Sequence, residues 1–152
     1  MYGWVDAVYD RTQADVDYAI AKINELKKSN LTDVPELKGC VNASDLNRIE
    51  NNTRRLVDYL YYSLYIIPIK EHEKWEDTHI PTTEDIADII NNVKNIIKRY
   101  SKQYDFAPKL PETILSYEDI NSIEENLHLT KQMIENMQSM YKRCGTFECG
   151  EG

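Results

Sequence analysis

Two glutamates have the residue type and the repeated context of a catalytic pair. Glu50 lies in the string DLNRIENN, residues 45–52, and Glu124 in DINSIEEN, residues 119–126, where five of the eight positions are identical. Two carboxylates about 5 to 10 Å apart across a cleft are the apparatus of glycoside hydrolysis. Here the surrounding sequence offers nothing to build the cleft: there is no Gly-rich loop, no recognisable Ser, His and Asp set, and no aromatic cluster in a loop. Metal chemistry has three weak openings. His72, Glu73, Asp77 and His79 share one charged stretch, Glu125 and His128 give the Glu-x-x-His spacing on one helix where a di-iron bundle needs two, and CGTFEC, with Cys144 and Cys149, lacks a second ligand pair. The expectation is a protein with no catalytic residues, no cofactor and no metal, and hence not an enzyme.

The same strings read more simply as helix starts. Thr12 precedes Asp15 by three residues, as Asn42 precedes Asp45, Thr82 precedes Asp85 and Ser116 precedes Asp119. In each pair the first side chain can cap an open amide of the first turn, and the Asp reaches back while favouring the positive end of the helix dipole. Val41 with Leu46, and Leu115 with Ile120, are placed to close hydrophobic staples. Leu46 and Ile49 fall on a core stripe, with Asn47, Glu50 and Asn52 at its borders. Glu50 has Arg54 four residues on and Glu124 has His128, both favourable i, i+4 pairs. Polar groups bordering a core usually answer backbone groups of a neighbouring element, because an unpaired buried group costs about 1 to 3 kcal/mol. Asn47, Glu50, Asn121 and Glu124 are therefore expected to tie their helices to a connector or a partner helix.

Helical periodicity extends from each start: about residues 13–28, 43–66, 83–104 and 117–143. The inward stripes are Val16, Ala19, Ile20, Ile23 and Leu26; Leu46, Ile49, Thr53, Leu56, Leu60 and Leu64; Ile86, Ile90, Val93 and Ile97; and Ile120, Ile123, Leu127, Thr130, Ile134 and Met137. Prolines 35, 68, 81, 108 and 111 mark the connectors. Residues of the first helix also recur in the third, so the chain reads as one helical hairpin repeated. The predicted fold is all-α, a single domain of two related hairpins (about 4–67 and 75–143) in an antiparallel four-helix arrangement with approximate internal two-fold symmetry, followed by a C-terminal arm, 144–152. Trp4 and Trp75 precede the two hairpins and are expected to close one end of each core.

The whole composition narrows the partners. A formal charge of −8 with no basic run longer than two residues excludes a nucleic-acid-binding face. The most apolar run, residues 56–69, is too short and interrupted to span a bilayer, and the N-terminal decapeptide is not a secretory signal. Three cysteines fit reduced thiols, and the chain is expected to be made in the cytoplasm of its host. That leaves protein partners. Tyr59, Tyr61, Tyr62 and Tyr65 crowd the end of the second helix on more than one face, and Phe147 lies in the arm; these are the candidate interface residues.

The phrases VYDRTQADVDYAI and NASDLNRIENNTRRLVDYL, and the tail YKRCGTFECGEG, resemble helical modules in tail and baseplate-region structural proteins of phages and prophages of Gram-positive bacteria. The resemblance covers under half of the chain, and KGCVN lacks the aromatic lead usual in those modules. It implies a non-enzymatic structural or assembly component of a tail, built into a virion, whose partners are other tail proteins or further copies of itself, with no small-molecule substrate. The alternative is a cellular helical adaptor that binds a partner protein.

Overall fold

The structure is a computed structural model and describes residues 1–29, 35–62, 66–78, 80–100 and 107–144. It is all-helical among those residues: α1 (Gln13–Lys28), α2 (Ala43–Tyr62), α3 (Thr83–Tyr100) and α4 (Tyr117–Cys144). The predicted extensions of the second helix to 66 and the third to 104 run into residues outside the described set, as does the arm from 145 onward.

All four starts use the predicted Asp, but not in one way. At Thr12 and Thr82 the box is complete, with the Asp carboxylate accepting from the cap N–H at 2.8 Å and the Thr hydroxyl accepting from the Asp N–H. At Asn42 and Ser116 the Asp still accepts from the cap N–H. Asn42 turns its amide instead to the preceding connector, donating to the Leu37 carbonyl at 3.0 Å. The two predicted staples do not form. Val41 is 47% and Leu115 86% exposed, although Leu46 and Ile120 are buried.

One core joins α2, α3 and α4. Leu46, Ile49, Leu56 and Leu60 of α2, Ile89, Ile90, Val93 and Ile96 of α3, and Ile120, Ile123, Leu127 and Ile134 of α4 form it with Ile67 and Trp75. Each such buried side chain contributes about 1.5 to 3 kcal/mol of transfer free energy. Thr53 and Thr130 are buried on the same stripes, Ile86 and Ile97 are partly buried, and Met137 lies at the exposed edge.

The direction of the helices departs from the antiparallel course expected. Residues 75, 72 and 71 of the middle connector meet Asn47, Glu50 and Arg54 of α2 in that order. Residues 72, 70 and 68 meet Asp85, Asn92 and Asn95 of α3. The connector therefore runs against both helices, and α2 and α3 share one sense. The N-terminal segment repeats the relation: Arg11, Val5 and Gly3 meet Asp45, Asn52 and Asn51, while Arg11, Val8 and Met1 meet Asn121, Glu124 and Glu135. Thus α2, α3 and α4 all run the same way, with residues 1–11 and 68–75 running back along them.

The predicted equivalence of α1 and α3 is not matched in packing. Helix α1 supplies no residue to the main core; only Ala19 and Leu26 are buried on it, and Ile20 is 54% exposed. It is seated through Gly39, where an added Cβ would stand 2.1 Å from the Asp15 carbonyl oxygen. The connector can lie against the backbone of the first turn of α1 only because position 39 has no side chain.

Candidate functional site

The repeated string works as a set of backbone clamps. Asn47 accepts from the Trp75 N–H and donates to the Trp75 carbonyl, both at 2.9 Å. Its copy, Asn121, accepts from the Arg11 N–H at 3.3 Å and donates to the Arg11 carbonyl at 2.9 Å. A carboxamide matches a peptide unit donor for acceptor, so one side chain replaces a rung of a β-ladder.

The glutamates extend each clamp. Glu50 accepts from the Trp75 indole N–H at 2.9 Å, and its other oxygen lies 2.5 Å from His72 Nδ1. Glu124 accepts from the Val8 N–H at 2.7 Å. The arrangement is crossed: α2, of the first repeat, holds the lead into α3, and α4, of the second, holds the lead into α1. Asn52 and Asn126 differ from one another. Asn52 accepts from the Val5 N–H at 3.0 Å and donates to its carbonyl at 2.7 Å, whereas Asn126 donates to the carbonyl of Pro108, which has no N–H to return. A further clamp, Asn92 on Lys70 N–H and carbonyl, lies outside the repeated string. Its signal was the polar Asn91–Asn92 pair set between Ile90 and Val93 of α3.

Around Glu124 the sequence hides a closed charge cluster. The Arg11 guanidinium donates to Asp45 at 2.7 Å and Glu124 at 3.2 Å, and Arg48 donates to Glu124 at 2.6 and 2.9 Å and to Asp45. Arg11 also donates to the Val8 carbonyl. The side chain of Glu124 is 1% exposed and that of Arg11 2%. Two cations and two carboxylates leave the group formally neutral, the condition under which ions can be buried without prohibitive desolvation. Burial opposes ionisation of Asp45, but the Asn42 N–H and the two guanidiniums outweigh it, holding the carboxyl below its usual range. Arg48 is likewise desolvated, yet Glu124 and Asp45 push its ionisation above the ordinary arginine value. Asp45 thus serves as more than the helix start assigned to it. Sequence reasoning missed both arginines: the partners of Arg11 are remote in sequence, and Arg48 adds remote Glu124 to Asp45, three residues before it.

The predicted local pairs are not made. Glu50 faces His72 and Trp75, leaving Arg54 to Glu71 at 2.8 Å, and Glu124 is committed to Arg11 and Arg48, leaving His128 beside Gln132 and the Tyr9 ring. Trp75 is buried in the core as expected, whereas Trp4 packs partly buried at its edge with the Lys131 ammonium 5.5 Å from its ring centre. His79 of the charged stretch lies outside the described residues. Among the described residues no group of three or more His, Cys, Asp or Glu is placed to hold a metal, and no helix is long and apolar enough to cross a membrane.

Glu50 and Glu124 do not converge on a common opening. Each is spent on a different connector, and Glu124 is sealed from solvent. Exposed apolar groups lie elsewhere: Tyr18 and Ile20 on α1, Tyr2, Val5 and Tyr9 in the N-terminal segment, and two sets towards the ends of the parallel helices. Where the helices finish, Tyr61 and Tyr62 are 63% and 85% exposed, with ring centres 6.1 Å apart, and Ile66 and Met140 are also exposed. Tyr59 instead packs against the core, and Tyr65 and Phe147 lie outside the described residues. Where α2 and α3 begin, an open groove of about 460 Å³ runs between Val41 and Leu46 on one side and Ile80 and Pro81 on the other. No family model matches the chain, and no curated protein or solved structure matches it.

Proposed function

We propose that this protein is a non-enzymatic structural or assembly subunit that acts through protein–protein contacts, with the setting implied by its sequence resemblance, a phage or prophage tail. The observation that carries the reading is the exposed pair Tyr61 and Tyr62 at the end of α2. Tyrosine contributes large apolar area at low entropic cost and keeps a hydroxyl for the wet rim, so it is enriched at interfaces. The inward polar groups support the same reading, because both repeated glutamates hold connectors in place and Glu124 is sealed from solvent.

The test uses the full chain as bait against the purified products encoded beside it. Changing Tyr61 and Tyr62 to Ser is expected to weaken capture of a tail product at least about ten-fold, the scale of a single interface hot spot, with helical circular dichroism unchanged. Capture unaffected by the substitutions overturns the assigned surface. Neighbouring genes unrelated to phage tails would favour the cellular adaptor.

A further inference from the structure

The three parallel helices give the protein two unlike ends. At the beginning of the helices, the groove has exposed apolar walls in Val41 (47%) and Ile80 (85%), over a floor that includes buried Leu46. Its remaining rim is acidic: Glu36, Glu76 and Asp77 are exposed and make no ion pair among the described residues. These three carboxylates sit in connectors, not in the first turn of a helix, so compensation of helix dipoles does not account for them. At the far end, the exposed apolar groups are Tyr61, Tyr62 and Met140, and the last turn of α3 adds Lys98 and Arg99, both exposed.

We infer that this protein associates head to tail with a second copy of itself, the Tyr62 and Lys98–Arg99 end of one copy seating on the Val41–Ile80 groove of the next. The inference rests on the protein-contact reading above and names its partner. Its warrant is complementarity of two kinds on one molecule: an apolar recess lined in part by carboxylates at one end, and at the other exposed apolar groups at the close of α2 and α4 with two exposed cations on the last turn of α3. A partner side chain entering the groove would cover Val41 and Ile80, its exposed apolar walls. Two different patches of one chain make a heterologous contact, which repeats along a line or closes into a ring. Opposite charges at the contact promote encounter and fix its register, and their effect weakens as salt screens them.

The experiment is sedimentation equilibrium of the full chain across concentration at low and high salt, with two charge-reversed variants, Glu76→Lys with Asp77→Lys, and Lys98→Glu with Arg99→Glu. The wild type is expected to associate in low salt and to dissociate as salt rises. Each variant alone is expected to weaken association by about ten-fold or more. Mixed in equal amounts, the two variants are expected to recover it, since each reversed head then meets a reversed tail. Circular dichroism of each variant separates loss of contact from loss of fold. A wild type that stays monomeric at low salt, or association that both reversals leave unchanged, overturns the inference. A monomer that still captures a tail product through Tyr61 and Tyr62 overturns it too, while leaving the protein-contact reading in place.

Discussion

Asn47 and Asn121 occupy the same place in the two copies of the repeated string, and each grips the backbone of the segment that leads into the opposite repeat, Trp75 for Asn47 and Arg11 for Asn121. The two similar strings therefore share an operation between halves as well as a helix start. The two halves are interlocked by it.

Replacing either Asn by Ala removes two hydrogen bonds and strands a backbone N–H and carbonyl, at about 2 kcal/mol. The loss is expected to be local and crossed. Asn47→Ala should raise amide hydrogen exchange in residues 70–76, and Asn121→Ala in residues 8–12, each far from its own site in sequence. Exchange that rises only in the mutated helix would contradict the crossed arrangement.

Glu124→Gln keeps an acceptor for the Val8 N–H but leaves the guanidiniums of Arg11 and Arg48 with Asp45 alone. Breaking a buried pair by removing one partner costs about 3 to 5 kcal/mol. Urea unfolding is the measurement. Glu50→Gln is the comparison, with a smaller loss expected because Glu50 retains partial exposure and no arginine partner.

Acid should release this cluster. Asp45 has its carboxyl lowered in the folded protein, so ionisation favours the fold. Its contribution is complete above the unfolded carboxylate value of about 3.9 and is lost as pH falls from there through the folded value. The thermal midpoint of the wild type is therefore expected to drop as pH is taken from 5 towards 3, measured by circular dichroism. In Asp45→Asn, already less stable at neutral pH, the drop over the same range is expected to be smaller.

Gly39→Ala places a methyl group where the Asp15 carbonyl stands. The neighbour is backbone and cannot swing aside, so overpacking of about 1 to 3 kcal/mol is expected. Because α1 lies outside the main core, the effect should appear as faster hydrogen exchange in α1 while α2, α3 and α4 keep their protection. An Ala variant with α1 unchanged would show that this contact does not seat the helix.

The helices were legible because their signals are local: apolar residues at helical spacing and an Asp three places after each cap. The stripe from Leu46 to Leu60 and that from Ile120 to Ile134 needed no knowledge of the partner. Helix direction was harder, since a repeated hairpin suggests an antiparallel return. The neglected clue is length. Residues 63–82, extended, reach farther than the roughly 30 Å of a 20-residue helix, so they can travel back along α2 before α3 begins. Asn47 and Glu50 could be assigned a joining task from their place at the stripe's border, but not their targets. Arg11 carried no local sign, Arg48 only its i, i+3 spacing from Asp45, and the apparent i, i+4 partners of Glu50 and Glu124 were a distraction: for those two glutamates contacts remote in sequence won over those four residues away.

The course of the N-terminal segment also bears on the order of events in synthesis. Val8 precedes by 116 residues the Glu124 carboxylate that receives its N–H, and Arg11 is similarly remote from Asn121. Nascent α2 can therefore acquire helical turns on the ribosome and meet Val5 and Arg11, but the contacts of this first segment with Asn121 and Glu124 have to wait until α4 has been translated. Until then Arg11 and Arg48 lack Glu124, and the core of α2 and α3 lacks the side chains that α4 supplies. Such late closure across a long separation slows folding relative to a bundle of locally paired helices. It also makes the interval before release of the complete chain the one in which a chaperone has most to protect.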